Sequence, residues 1–212
     1  MSNLAPELMG RARALEQEGF VIVRADGWSF LAVRSRWHWD LAVHLTLVVR
    51  VRRLQHAGLV DAERGQAELR QLADRWDPCK VPRGFQHGRG LVDVLVADAA
   101  DADATRYART KVGKGYGQSI HTALVPAGGG PAVFGKPVWG RAFWPKIEHA
   151  IEVAASGQPR PAPLAGLGLA IALLVFYPTF VAALFFCCAV PHVLIGVLLA
   201  LEKPLPSALP PA

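Results

Sequence analysis

Residues Arg34 to Val51 read RSRWHWDLAVHLTLVVRV. From Trp37 to Val51 every odd-numbered residue is apolar, while the even positions include Arg36, His38, Asp40, His44, Thr46 and Arg50. A period of two is the signature of a strand with one buried face. One unbroken strand of this length would run about 60 Å at about 3.3 Å per residue, far beyond the usual five to ten residues. A turn or bulge is therefore expected near Trp39-Asp40. The apolar row, with Trp37 and Trp39, would lie in the core. The other face, Arg34, Arg36, His38, His44, Arg50 and Arg52, would be basic and wet, which is the default for an antiparallel sheet with one solvated side. Such a row is also a candidate for contacting phosphates.

Upstream, FVIVRADGWSFLAV sets Asp26-Gly27 between two apolar runs, the short-range signal of a type I′ hairpin. Before it, Leu4, Leu8, Ala12 and Leu15 recur at helical spacing, with Asn3 as a start and Gly19 as a stop. Downstream, GLVDAERGQAELRQLADRW predicts a helix capped at Asp61, with Leu69, Leu72 and Trp76 inward and Arg64 facing Glu68 outward. Pro78 ends it. LVDVLVA has the composition of a central strand, DAADADATRYAR of a helix with acids in its first turn, and SIHTALV and AVFGKPV of two further strands. A last helix starts at Pro145. The resulting order is α-β-β-β-α-β-α-β-β-α, an α+β domain with a mainly antiparallel sheet covered by helices.

Composition divides the chain. Residues 1–155 carry an ordinary soluble mixture and 156–163 form a Pro-rich linker. Leu164 to Leu201 contains no Asp, Glu, Lys or Arg, and 202–212 is a Pro-rich tail. An apolar helix needs about 20 residues to cross a bilayer. The stretch 164–201 is thus expected to form a transmembrane helical hairpin or one kinked span, broken at Pro178 or Pro191. The N-terminal stretch has no h-region of a signal peptide, and Arg141, Lys146 and Arg160 precede the anchor. On both grounds the first domain is expected on the cytoplasmic side of an inner membrane. Three cysteines, two of them adjacent within the apolar block, make no disulfide framework.

Two glycine-rich basic loops, KVPRGFQHGRG and RTKVGKGYGQS, offer Lys80, Arg83, Arg89, Lys111 and Lys114 to an anion or a lipid headgroup. Neither is a P-loop or a dinucleotide fingerprint, and no cofactor is implied. Cys79 and His87 could pair as thiol and base, but nothing supplies the third group that would orient them. His38, His44, Cys79, His87 and His121 have no zinc-ligand spacing, so no metal is expected. Asp93, inside an apolar strand, is expected either at the strand's wet edge or paired with a group such as Arg89.

The helix, three strands, helix and strand of about residues 4–97 resemble the core order of restriction-endonuclease-like domains. That resemblance implies an acid followed by an (Asp/Glu)-x-Lys pair on neighbouring strands, whereas the third strand here, HLTLVVRVRR, has no acid. The expected function is therefore a membrane-anchored, non-catalytic binding or scaffold domain, an accessory subunit of a membrane complex. Its expected partners are the bilayer and another membrane protein, with anionic headgroups or nucleic acid at the basic positions. The alternative is a phosphate-handling or nucleic-acid-binding domain with a degenerate endonuclease-like core.

Overall fold

The computed structural model describes residues 4–38, 42–80, 86–136 and 142–159. They belong to one unit, Met1–Arg160. The expected anchor at 164–201 and its tail lie outside the described residues, as do Trp39, Asp40 and Arg83. Among the described residues no helix is long and apolar enough to cross a membrane.

Helix α1 (Pro6–Gln17) begins with Pro in its first turn, where a missing N–H costs nothing. It ends before Gly19, whose φ of 80° is a left-handed cap that a Cβ would disfavour. Strands β1 (Val21–Asp26) and β2 (Ser29–His38) form the expected hairpin, with Asp26 opposite Ser29. The turn chemistry differs from a type I′ turn, because neither Gly27 nor Trp28 has a positive φ. Instead the Asp26 carboxylate accepts the backbone N–H groups of Trp28 (3.2 Å) and Ser29 (2.8 Å) and the Ser29 hydroxyl (2.9 Å). An Asp side chain can stand in for a backbone turn in this way.

The opening stretch breaks where strand length demanded. β2 stops at His38 and β3 (Val43–Ala57) starts after Ala42, which has φ 49°. β3 leads into α2 (Leu59–Trp76), β4 (His87–Ala100), α3 (Ala102–Thr110), β5 (Gly113–Gly115), β6 (Gln118–Pro126), β7 (Val133–Phe134) and α4 (Trp144–Ser156). β5, inside the second glycine-rich loop, is the one element without an expected counterpart.

The sheet runs β1-β2-β3-β4-β6-β5, with β7 also on β6. Antiparallel pairing is confined to its two sides, β1–β2–β3 and β5–β6–β7. Its centre, β3–β4–β6, is parallel, which corrects a mainly antiparallel reading to a mixed sheet. The cause is connectivity. α2 and α3 each carry the chain back across the sheet, so the next strand enters from the same end.

Both faces are covered, so the sheet has no wet side under its helices. α1 and α4 bring Leu8, Leu15, Ile147 and Ile151 against Phe30, Leu45, Leu47, Val49, Val51, Val92 and Val94. α2 packs Leu69 and Ala73 on Leu31, Val33, Val48, Leu91 and Ile120, and α3 packs Ala104 and Ala108 on Leu95 and Leu124. Arg11 of α1, itself 9 % exposed, ties the first layer together by donating to the carbonyls of Ala154 (2.8 Å) and Ala155 at the end of α4. A guanidinium there satisfies carbonyls that have no intrahelical partner.

Candidate functional site: a basic cleft beneath α2

The polar row of the opening stretch is divided between two faces. Paired residues of antiparallel strands project to the same side, and Arg34 stands opposite Leu47, Ser35 opposite Thr46, Arg36 opposite Leu45 and Trp37 opposite His44. The turn between β2 and β3 therefore reverses parity. Arg34, Arg36 and His38 lie on the α1 side, while His44, Thr46, Arg50 and Arg52 lie on the α2 side. The expected continuous basic face does not exist.

Arg34 is structural. It donates to the Glu18 carbonyl (2.9 Å) and its guanidinium lies 4.5 Å from the Phe20 ring centre, with burial holding its pKa below the ordinary value. Arg36 is exposed and lies against Gly19. His38 is half-buried, and Lys80 and Lys111 are exposed. Lys114 lies in β5. Arg89 is turned inward to Asp74 (2.6 Å) and Asp77 (2.7 Å), so it does not serve Asp93 as expected.

Asp93 is fully buried in β4 and meets two arginines of β3, directly beside it in parallel register. Arg50 donates to Oδ1 (2.8 Å) and Oδ2 (3.0 Å); Arg52 donates to Oδ1 (3.3 Å) and Oδ2 (2.7 Å). Further donors of both arginines reach α2. Arg50 bonds the Gly65 carbonyl (2.8 Å) and Glu68 (3.1 Å), and Arg52 bonds the Asp61 carbonyl (3.0 Å). Burial alone would lower the Arg50 pKa, but Asp93 and Glu68 outweigh it and hold that pKa above the ordinary value. Burial would likewise raise Glu68, yet Arg64 (2.7 Å) and Arg50 hold it below the usual carboxylate range.

Gly65 is what lets α2 sit on this group. A Cβ there would overlap Asp93 Oδ2 and the Arg52 guanidinium and come within 3.1 Å of Arg50 Nη2. Glycine inside a helix costs about 1 kcal/mol against alanine, so close approach is the reason for its presence.

Beside the group a cleft of about 560 Å³ opens between α2 and strands β1 to β3. Its walls include Arg24, Ser29, Arg52, Glu68, Gln71 and Arg75. Every carboxylate near it is already engaged. Asp93 is held by two arginines, Glu68 by Arg50 and Arg64, and Asp26 by its own turn. The cationic side is not fully engaged. Arg24 and Arg75 are exposed without an ion pair among the described residues, and Arg52 Nη1 makes no hydrogen bond there. The cleft thus presents cationic donors to solvent.

The sequence singled out Arg50 and paired Glu68 with Arg64, but missed the contact of Glu68 with Arg50 and the parts of Arg24, Arg75 and Gly65. Gly65 was the available signal, since an interior helix glycine marks a close neighbour. Among the described residues no three His, Cys, Asp or Glu side chains converge as metal ligands. Asp93, the acid adjoining Arg50-Val51-Arg52, comes from β4 and is taken up by both arginines. No family model matches this chain, and no curated protein is similar to it.

Proposed function

We propose that this chain is a membrane-anchored binding domain whose cleft beneath α2 takes a phosphate-bearing ligand. The observation that carries the reading is Arg52. Asp93 fixes its guanidinium by the Nε–Nη2 edge, while Nη1 makes no hydrogen bond among the described residues and the side chain lines the cleft together with Arg24 and Arg75. A planar guanidinium held in place loses little freedom on meeting an oxyanion, and its remaining Nη1 can donate to it. A volume of this size suits a headgroup or one or two nucleotides. The uncharged stretch 164–201 supports attachment to a bilayer, where a phosphodiester is available either as a lipid headgroup or as nucleic acid. The role is that of an accessory subunit that holds its ligand beside the membrane.

The test uses the full chain in neutral detergent, titrated with short-chain phosphatidylglycerol and, separately, with a short single-stranded DNA. Arg24→Ser with Arg75→Ser should weaken binding of the true ligand about tenfold or more, with steep salt dependence. Arg36→Ser with Lys111→Ser should leave it unchanged. Preference for one titrant names the source of the phosphate. Equal effects of the two double variants would reject the cleft.

A further inference from the structure

The same face carries a second polar group at the other end of β3, and it stands independently of the anion reading. Here Ser35 Oγ lies 3.1 Å from His44 Nδ1 and 2.8 Å from Thr46 Oγ1. Thr46 Oγ1 lies 3.1 Å from Asp77 Oδ1 and 3.1 Å from His87 Nε2. His87 Nε2 is also 3.4 Å from Asp77 Oδ2, and Arg89 Nε pairs with the same oxygen at 2.7 Å. Thr46 and His87 are buried, while His44 is half-exposed.

The protons of this chain can be arranged in one way. Asp77, ion-paired with Arg89, only accepts, so Thr46 must spend its single hydroxyl proton on Oδ1. Nε2 of His87, facing both that hydroxyl oxygen and the carboxylate, carries a proton. Thr46, having no second proton, accepts from Ser35. Ser35 has then used its own proton and accepts from His44. His44 is consequently protonated on Nδ1. Its Nε2 has no hydrogen bond among the described residues and, in the neutral ring, holds a lone pair. Trp37, 36 % exposed, stands directly across the β2–β3 pairing from His44 on the same face.

We propose that His44 is a proton-accepting site for a hydroxyl-bearing ligand: an imidazole fixed as its Nδ1–H tautomer by the Ser35–Thr46–Asp77 chain, with the unbonded Nε2 taking the proton. In the step this arrangement serves, the ligand's O–H bond breaks, the proton and a full positive charge go to the ring, and the electron pair stays on the ligand oxygen. None of the protons along the chain changes owner. Asp77 remains a carboxylate and meets the imidazolium charge through two hydroxyl groups, the orienting task that an acid performs for a catalytic histidine. Thr46, Ser35 and Asp77 are positioning residues in this account.

Ring nitrogen NMR on the full chain, with histidine labelled with nitrogen-15, reads the tautomer directly. Neutral His44 should carry its proton on Nδ1. In Thr46→Val the acceptor of Ser35 is gone, Ser35 turns its proton toward Nδ1, and the ring should change to the Nε2–H form. Ser35→Ala, which leaves Thr46, Asp77 and His87 in place, should release the same preference and serves if the valine variant does not fold. Diethyl pyrocarbonate gives a second readout. The Nε2 lone pair attacks its carbonyl, and the Nδ1 proton departs with ethyl carbonate, which breaks down to carbon dioxide and ethanol. Modification of His44 should slow about tenfold in Thr46→Val, because the exposed nitrogen then bears hydrogen. A wild-type ring protonated on Nε2, or a rate unaffected in Thr46→Val, would overturn the proposal.

Discussion

Arg50 and Asp93 face each other across adjacent parallel strands, Nε to Oδ1 2.8 Å, and the carboxylate has no exposed surface. Removing one member of such a buried pair leaves the other charge without compensation, at a cost of about 3–5 kcal/mol. Asp93→Asn should therefore destabilise the domain by that amount, because it strands two arginines. The measurement is denaturant unfolding followed by tryptophan fluorescence. A loss below about 1 kcal/mol, the range of an exposed pair, would mean that solvent reaches the group.

Gly65 and Gly10 offer a paired experiment with opposite signs. Gly10 lies in α1, and a Cβ placed there would meet nothing within 4 Å, so Gly10→Ala should stabilise by about 0.5–1 kcal/mol through helix propensity. Gly65→Ala gains the same propensity but drives a methyl into Asp93 and Arg52, and should destabilise by about 1–3 kcal/mol. Thermal unfolding of both variants decides it. Equal stabilisation would show that α2 does not bear on the ion group.

His121 gives the domain an acid limit. It is 1 % exposed on β6, its ring centre 5.3 Å from that of Trp144, and burial lowers its pKa from 6.5 to about 4, against a smaller opposing contribution from the Gly135 backbone. The unfolded chain then binds this proton more readily than the folded one. Stability from this group is complete above about pH 6.5 and is lost as pH falls toward about 4, amounting to about 3 kcal/mol. His121→Phe should flatten the stability profile between those values. A slope unchanged by that substitution would place the acid sensitivity elsewhere.

If Leu164 to Leu201 is the anchor, residues 1–160 produced alone should remain folded and leave the membrane fraction, since the described core lies wholly within that unit. Fractionation and circular dichroism test it. A fragment that stays with the membrane would assign attachment to the folded unit instead.

Local signals in the sequence carried far. The Asp26 hairpin, the break after His38, the α2 helix and the central β4 strand each follow from periodicity and punctuation over a few residues. What the stretch from Arg34 to Val51 could not convey was parity. An even residue of β2 pairs with an odd residue of β3, so one alternating row is divided between two faces by the turn. Nor could it convey that α2 covers Arg50. That depends on a crossover connection and on Gly65, whose reason for being glycine is a carboxylate 28 positions further along the chain. Arg24 and Arg75 lay within the hairpin and helix stretches with nothing local to single them out. Only the packing of α2 over the β1–β2 hairpin brings them to one cleft.

The most direct test of the cleft follows the guanidinium groups themselves. Pyrophosphate is titrated into the full chain while the side-chain Nε resonances of its arginines are recorded. Arg24, Arg52 and Arg75 should shift together and saturably, the shifts should shrink as salt is raised, and Arg24→Ser with Arg75→Ser should abolish the response of Arg52. Shifts confined to Arg36 and other arginines outside the cleft, or no saturable response from Arg52, would contradict a phosphate-binding cleft beneath α2.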